Sequence, residues 1–312
     1  MVRPVTEEAA RSVAREGEGK RALVTGLHGF TGRYVARELA AAGYHVYGTV
    51  TPGTDAGPDM FTVDLLDRAA VAGVVGQVCP DVVVHLAAIA FVAHDDAERM
   101  YRVNVVGTRN LLEALAANAH KPSSVLLASS ANIYGNADVA VIGEDVAPNP
   151  ANDYAVSKLA MEHMARLWMD KLPITIVRPF NYTGVGQSEN FLLPKIVSHF
   201  RRDARRIELG NLAVARDFSD VRVVAKTYRR LLAAAPAGQT FNVCSGQSHS
   251  LESVIGMMGE IAGYPIEVYV NPAFVRANEV LSLTGDNTRL AGTIGPIPPV
   301  PLADTLRWMY EA

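Results

Sequence analysis

Apolar positions in this chain come in short unbroken runs, and between the runs they recur every three or four residues. Unbroken runs lie at Arg21 to Thr25, His45 to Val50, Val82 to Leu86, Ser124 to Ser129 and Ile174 to Arg178. They lack the alternation of a half-solvated strand, which predicts strands covered on both faces. Helical spacing fills the gaps: Tyr34, Val35 and Leu39 up to Gly43, then Arg68 to Gln77, Ala97 to Asn118 and Tyr154 to Leu172. Such alternation predicts an α/β fold, a doubly wound parallel sheet with helices on both faces. Beyond Arg178 the rhythm loosens. Pro179 to Gly186 reads as a loop, Phe191 to Arg202 as a helix, Thr240 to Val243 as a strand and Leu251 to Ala262 as a helix. Pro296 to Pro301 reads as an extended arm before a last helix, and residues 1–20 as a solvated extension.

The turn after the first strand changes the picture from fold to chemistry. It reads Thr25-Gly26-Leu27-His28-Gly29-Phe30-Thr31-Gly32 and opens the first helix. Gly26 allows a tight turn, Gly29 lets backbone approach a pyrophosphate, and Gly32 lets helix pack on strand. The helix N-terminus offers amides and a positive dipole to phosphates. Strand, glycine turn, helix and a second strand make a dinucleotide-binding unit of the Rossmann type.

Tyr154-Ala155-Val156-Ser157-Lys158 supplies a second constellation. A Tyr and a Lys four apart on a helix point the same way. A free phenol has a pKa of about 10, and a neighbouring ammonium favours its phenolate. The expectation is a phenol eased by Lys158 and able to exchange protons near neutral pH. Ser130, just past an apolar strand, adds a hydroxyl for the same substrate oxygen. The trio suits adding or removing a hydride at a carbinol carbon. Ser130 and the segment Pro179 to Gly186 also follow strand ends, where ligands of such sheets gather.

Composition narrows the classes. With 312 residues, 49% of them hydrophobic, the chain can bury a sizeable core. A net charge of -3 argues against a nucleic-acid or anionic-membrane surface. Cys79 and Cys244 stand far apart, which suits a reducing cytoplasm rather than a disulfide framework. The eight histidines include no helical pair at metal spacing, so no metal is expected. His85 reads as a hydrogen-bonded core histidine. No stretch is long and apolar enough to span a bilayer.

From about Arg21 to its end the chain resembles the extended short-chain dehydrogenases/reductases that act on nucleotide sugars. The likeness rests on the glycine motif, His85-Leu86-Ala87-Ala88, Asn104 and Tyr154-x-x-x-Lys158. It implies cofactor contacts at Gly26, Gly29, Phe30, Thr31, Gly32, Asp64, Leu65, Leu86, Ala87, Ala88, Asn104, Tyr154 and Lys158. Within the family the chain is similar to GDP-4-keto-6-deoxy-mannose reductases and their relatives. That finer likeness rests on Arg178-Pro179-Phe180-Asn181, Ala215-Arg216-Asp217-Phe218-Ser219-Asp220-Val221, Asn242-Val243-Cys244-Ser245-Gly246-Gln247 and Arg276-Ala277-Asn278-Glu279-Val280. It implies a GDP-sugar substrate met by Asn181, Arg216, Arg276 and Glu279. Arginine suits a diphosphate because it donates two hydrogen bonds at once. Residues 21–178 would hold the dinucleotide, with returns near 217–245, and residues 179–312 would form most of a smaller α/β substrate subdomain. A homodimer is also implied, packed through Ala97 to Asn118 and Tyr154 to Leu172; the apolar Leu111, Leu112, Leu115, Met161, Leu167 and Trp168 suit either that interface or a buried monomer core.

Dehydratases of this family resemble one another in carrying acids just after the catalytic hydroxyl, because expelling water needs a general acid and base beyond the Tyr. Here Ala131 and Asn132 occupy those places, which disfavours a dehydratase. A 4-ketoreductase and a 4-epimerase both remain open, with the late segments leaning to the reductase. A protein that binds dinucleotide without chemistry is a third reading, opposed by the presence of Ser130, Tyr154 and Lys158. The second strand ends Tyr47-Gly48-Thr49-Val50-Thr51, without the acid that usually holds an NAD ribose. The cofactor is therefore NADP(H) or NAD(H), with a lean to the former.

Overall fold

The computed structural model describes residues 16–90, 96–212, 214–272 and 282–312. In chain order the first half runs β1 (Arg21–Thr25), α1 (Phe30–Ala41), β2 (His45–Val50), β3 (Met60–Thr62), α2 (Arg68–Val78) and β4 (Val82–His85). Then come α3 (Ala97–Tyr101), a π-helical turn (Arg102–Gly107), α4 (Thr108–Ala117) and β5 (Ser124–Ala128). A 3-10 turn (Ala131–Tyr134) leads to α5 (Asp153–Arg166), β6 (Ile174–Pro179), β7 (Asn181–Thr183), α6 (Leu192–Arg201) and β8 (Arg206–Leu209). The rest is β9 (Ala215–Asp220), α7 (Val221–Ala234), β10 (Thr240–Val243), β11 (Ser248–Ser250), α8 (Leu251–Ala262), β12 (Glu267–Val270), β13 (Ser282–Leu283), α9 (Thr288–Ile294) and α10 (Leu302–Glu311).

The chain divides into two units, and the division recrosses it several times. The first comprises residues 1–129, 157–177 and 225–240; the second comprises 130–156, 178–224 and 241–312. The large sheet runs β10-β6-β5-β4-β1-β2-β3. Parallel registers such as Leu23 against Tyr47 and Val83, and Leu126 against Val84 and Thr175, set its inner strands. From β3 to β6 the order is that of a doubly wound sheet, with its direction of travel reversing between β1 and β4. Both faces are covered, so Val83, Val84, Val125, Leu126, Leu127, Ile174 and Ile176 are fully buried. On one face Leu111, Leu112 and Leu115 of α4 and Met161 of α5 join Val71 and Val75 of α2 in a single core. Those α4 and α5 side chains thus belong to the interior of the protomer, the monomer-core reading of the two that their pattern allowed. Leu167 is instead 75% exposed, just past the end of α5.

Local chemistry places the helix ends. The Asp67 carboxylate accepts the Ala69 and Ala70 amides at 3.0 Å and starts α2, which stops as Cys79 turns left-handed. Ser250 accepts the Ser253 amide to start α8, and Gly263 ends it at φ 80°. The predicted helix over 154–172 stops at Arg166, and the expected loop at 179–186 contains β7, parallel to β9. Residues 1–15 lie outside the described residues. The rest of the expected solvated extension is tied down: the Gly17 amide donates to Ala42, and Glu16 with Glu38 receives the buried Arg229 guanidinium at 2.6 and 2.8 Å.

In the first unit a directional chain of hydrogen bonds joins three elements. Thr25 Oγ1 accepts the Leu86 and Ala87 amides, so its own proton goes to His85 Nδ1 at 2.7 Å. On the far side of the ring Thr108 gives its proton to the Asn104 carbonyl and accepts from His85 Nε2 at 2.8 Å. Both ends therefore assign the neutral Nε2–H tautomer. Burial, seconded by the charge of Lys158, holds the imidazole pKa down at about 3.

In the second unit β9 lies between β11 and β13 and also pairs with β7, while β8 and β12 form a separate ribbon. Its core gathers Ile196, Val197 and Phe200 of α6, Val254 and Met258 of α8 and Leu306 of α10. Asp217, wholly buried, accepts from the Ser245 amide and hydroxyl and the Gly246 amide, binding the β10–β11 loop to β9.

His85 makes acid stability testable. Unfolded, it takes up a proton near 6.5; folded, it resists to about 3. Above 6.5 both states are neutral and nothing is lost, whereas below it the unfolded state gains the proton. Between pH 7.5 and 5.5 this costs the native protein about 1.4 kcal/mol. Urea unfolding of His85→Gln should lack that portion of the acid-side loss, while being about 1–3 kcal/mol less stable at pH 7.5. Identical pH dependence in variant and wild type would contradict the neutral, buried ring.

Candidate active site

At the end of β1 the backbone turns through Gly26 at φ 71°. A Cβ there would stand 3.0 Å from the Ala87 backbone, so the turn presses directly on the segment after β4. At Gly32 a Cβ would come within 2.4 Å of the Gly26 carbonyl and 2.6 Å of that of Leu27. Gly32 thus seats α1 on its own turn rather than on the strand. Gly29 has extended backbone and caps α1 without a side chain, and Phe30 and Thr31 are half-buried in its first turn. The first-turn amides of a three-turn helix and a bare glycine surface are what a pyrophosphate requires, so these residues fit a dinucleotide.

Other candidates in the same unit ring this turn in sequence. Leu86, Ala87 and Ala88 are half-buried after β4. Asp64 is exposed and accepts the Leu66 amide at 2.9 Å, while Leu65 is buried with its carbonyl held by Asn110. Asn104 sits in the π turn, a geometry that often marks functional sites. Its side chain accepts the Ile89 amide at 2.8 Å and donates to the Ile89 carbonyl and the Ser157 hydroxyl, both at 3.0 Å. That clamp fixes the strand-end loop and the start of the Ser157–Arg166 part of α5. Lys158, 5% exposed, donates from Nζ to the Ala128 carbonyl at 2.8 Å. Burial lowers the pKa of its ammonium to about 8, and the Glu162 carboxylate opposes that fall.

The second unit holds the two hydroxyls. Ser130 caps the 3-10 turn by accepting the Asn132 amide at 3.2 Å, with its own hydrogen bond easing the Tyr154 phenol. Tyr154 is half-buried in the first turn of α5. Its phenol is pushed well above the ordinary range, first by burial, then by Tyr182, with Ser130 pulling the other way. That corrects the expectation of an eased phenol: in this structure desolvation outweighs assistance. Ala131 is buried and Asn132 exposed, so the two places where acids would stand hold none.

Asn181 begins β7, opposite Phe218 of β9, and its Nδ2 is buried without a hydrogen-bond partner among the described residues. Arg216 lies on β9 opposite His249 and donates to the Ala215 carbonyl at 2.9 Å. Arg276 and Glu279 lie outside the described residues.

Sequence reasoning missed a buried polar network behind Ser130. Arg178 donates to the Tyr134 hydroxyl at 2.8 Å, and Tyr134 donates to Asn242 Oδ1 at 2.8 Å. Asn242 donates its backbone amide to Glu144 Oε1 and its Nδ2 to the Ile142 carbonyl. Tyr134 closes the 3-10 turn that Ser130 opens, so the network fixes the attitude of that hydroxyl. The signal was available as Arg178 and Asn242 within otherwise apolar strands. Among the described residues no group of His, Cys, Asp or Glu gathers into a metal site, and no helix is long and apolar enough to cross a membrane.

Comparison with known proteins places this geometry. A family profile described as NAD dependent epimerase/dehydratase family matches residues 22–244. The chain is 35% identical to GDP-6-deoxy-D-talose 4-dehydrogenase of Aggregatibacter actinomycetemcomitans, covering 88% of this chain and 90% of that protein. It is 36% identical to GDP-6-deoxy-D-mannose reductase of Pseudomonas aeruginosa, over 92% of this chain and 95% of that one. Among solved structures, a candidate epimerase from Burkholderia cenocepacia J2315 superposes with a TM-score of 0.90 at 56% identity, covering 95% and 98% of the two chains. RMD from Pseudomonas aeruginosa, complexed with NADPH, superposes with a TM-score of 0.81 at 32% identity, covering 94% and 98%. The match runs from the glycine turn of β1 past the hydroxyls to β10, and the chain belongs to the NAD dependent epimerase/dehydratase family.

Proposed function

We propose that this chain is an NAD(P)H-dependent reductase that converts the 4-keto group of a GDP-4-keto-6-deoxyhexose to the alcohol. The observation that carries it is a Ser130, Tyr154 and Lys158 set with no acid at Ala131 or Asn132. Supporting it are two relatives named for GDP-6-deoxyhexoses and a solved relative complexed with NADPH. A bound reduced nicotinamide supplies the hydride to the keto carbon. Tyr154 gives its proton to the keto oxygen, so carbonyl becomes carbinol. Ser130 donates to the same oxygen and holds it in line. Lys158, one helical turn after Tyr154, carries the charge that makes the vacated phenol tolerable, and Asn104 keeps that stretch of α5 seated. Gly26, Gly29 and Gly32 with the amides of Phe30 and Thr31 hold the cofactor phosphates, Leu86 to Ala88 line the cofactor, and Asp64 and Leu65 meet its adenine end. Asn181 and Arg216 meet the GDP moiety, joined by Arg276 and Glu279. The setting is cytoplasmic, where reduced cysteines, nicotinamides and nucleotide sugars coexist.

Tyr154→Phe should lower turnover by about 10²–10⁴-fold, while NADPH affinity stays within a few fold because phosphate grip lies in the glycine turn. Wild-type rates in that variant would remove Tyr154 from the chemistry.

Substrate trials separate the reductase from its neighbours. GDP-mannose alone should yield no 4-keto-6-deoxy product. The keto sugar with NADPH or NADH should consume cofactor in equal amount to the 6-deoxyhexose formed. Conversion of an unmodified NDP-hexose to its 4-epimer, with no net change in nicotinamide absorbance, would establish the epimerase instead.

The protein is further proposed to be a homodimer. The exposed Val106 and Leu167 offer apolar surface outside the core of the first unit. Light scattering at micromolar concentration should return twice the chain mass, and a monomer there would refute the assembly.

A further inference from the structure

Glu162 lies one turn beyond Lys158 in α5, and its side chain is completely shut off from solvent. A carboxylate survives such burial only opposite a charge or a set of donors. Spacing of four residues along a helix puts the two side chains on one face. Two ionisable groups act on or feel the charge of Lys158. Its own helix supplies Glu162, and β4 supplies His85, whose neutrality two threonine hydroxyls enforce. From β5 comes the uncharged Ala128 carbonyl. Glu162 is the anion of this set.

We propose that Glu162 is a positioning residue for the reaction, the fixed counter-charge that keeps Lys158 protonated in a dry setting. The inference rests on Lys158 having the part assigned to it above. Burial already draws the Lys158 ammonium down to about 8 with the Glu162 charge supporting it. Without that charge, burial would draw the lysine's pKa lower still. A neutral Lys158 cannot favour a phenolate at Tyr154, whose own burial pushes in the opposite direction. Glu162 therefore acts through Lys158 and touches neither substrate nor cofactor.

The test uses the full chain and two readouts. Trace acetylation across a pH series, read by mass spectrometry of the Lys158 peptide, reports the lysine's own titration without any substrate. The pH profile of kcat/KM with NADPH and the keto sugar reports its consequence. In Glu162→Gln the labelling midpoint should fall by about one pH unit or more, and the alkaline limb of kcat/KM should move down with it. Glu162→Asp, which keeps the charge, should return both toward wild type. A labelling midpoint unmoved in Glu162→Gln, with activity reduced by one factor at every pH, would reduce Glu162 to a packing residue and overturn the proposal. If Glu162→Gln does not fold, a stability cycle with Lys158→Met decides. Recovery of folding in the double variant over either single variant supports the pair, and no recovery overturns it. Failure of the wild type to reduce the keto sugar would count against the proposed function, while the labelling midpoint would still judge Glu162.

Discussion

Where β1 and β4 end side by side, buried backbone stops pairing with a neighbour strand and its amides must be satisfied without water. Thr25 takes two of those amides on its hydroxyl, and everything beyond depends on how that hydroxyl is then spent. It donates to His85, which donates to Thr108, which donates to the Asn104 carbonyl. Each group has one role left once its neighbour has chosen, so the whole chain has a single solution. The Asn104 side chain is thereby delivered to Ile89 and Ser157. A demand raised at the strand ends is met by residues that fix the seat of the Ser157–Arg166 part of α5.

Around that rigid seam the site depends on charge held away from water. Lys158 and Glu162 are buried in the first unit, and Asp217 in the second. Asp217 is a structural case: burial raises its pKa, and amide and hydroxyl donors oppose the rise. Lys158 is the opposite case: burial lowers the pKa of its ammonium to about 8, against the opposing charge of Glu162. Structural charges saturate their donors, whereas a group meant to exchange or steer protons is left within reach of titration. Tyr154 follows neither pattern: burial carries its phenol well above the ordinary range, and the Ser130 hydrogen bond opposes the rise.

The sheet was readable because its strands are apolar on both faces, and β1 and β2 begin and end where their runs do. The second unit was less readable. β8, β9, β11 and β12 are short and polar, with patterns such as Arg206-Ile207-Glu208-Leu209 that resemble ordinary loop sequence. α7 was missed for a different reason: it follows β9 without an intervening turn, so its start carries no glycine or proline signal. At the site, residues within contiguous motifs were legible, as with Gly26 to Gly32 and Tyr154 to Lys158. Groups united across long stretches of chain, such as Tyr134 with Asn242 and Arg178, leave no spacing to read. The phenol's environment was misjudged because helix spacing gives a neighbour's charge but not the depth of burial.

The π turn at Arg102–Gly107 has one more consequence. It inserts one residue into an otherwise continuous helical stretch, and a residue is worth about 100° of rotation in an α-helix. The turn absorbs that rotation, letting Asn104 face Ile89 while Leu111, Leu112 and Leu115 still face the sheet. Counted from either end, the two faces are out of phase, and a straight helix of the same length could not satisfy both. The segment is thus a phase converter: deleting one residue from it would leave the helix intact but force a choice between clamp and core. Chain length, as much as side-chain identity, is constrained at this point.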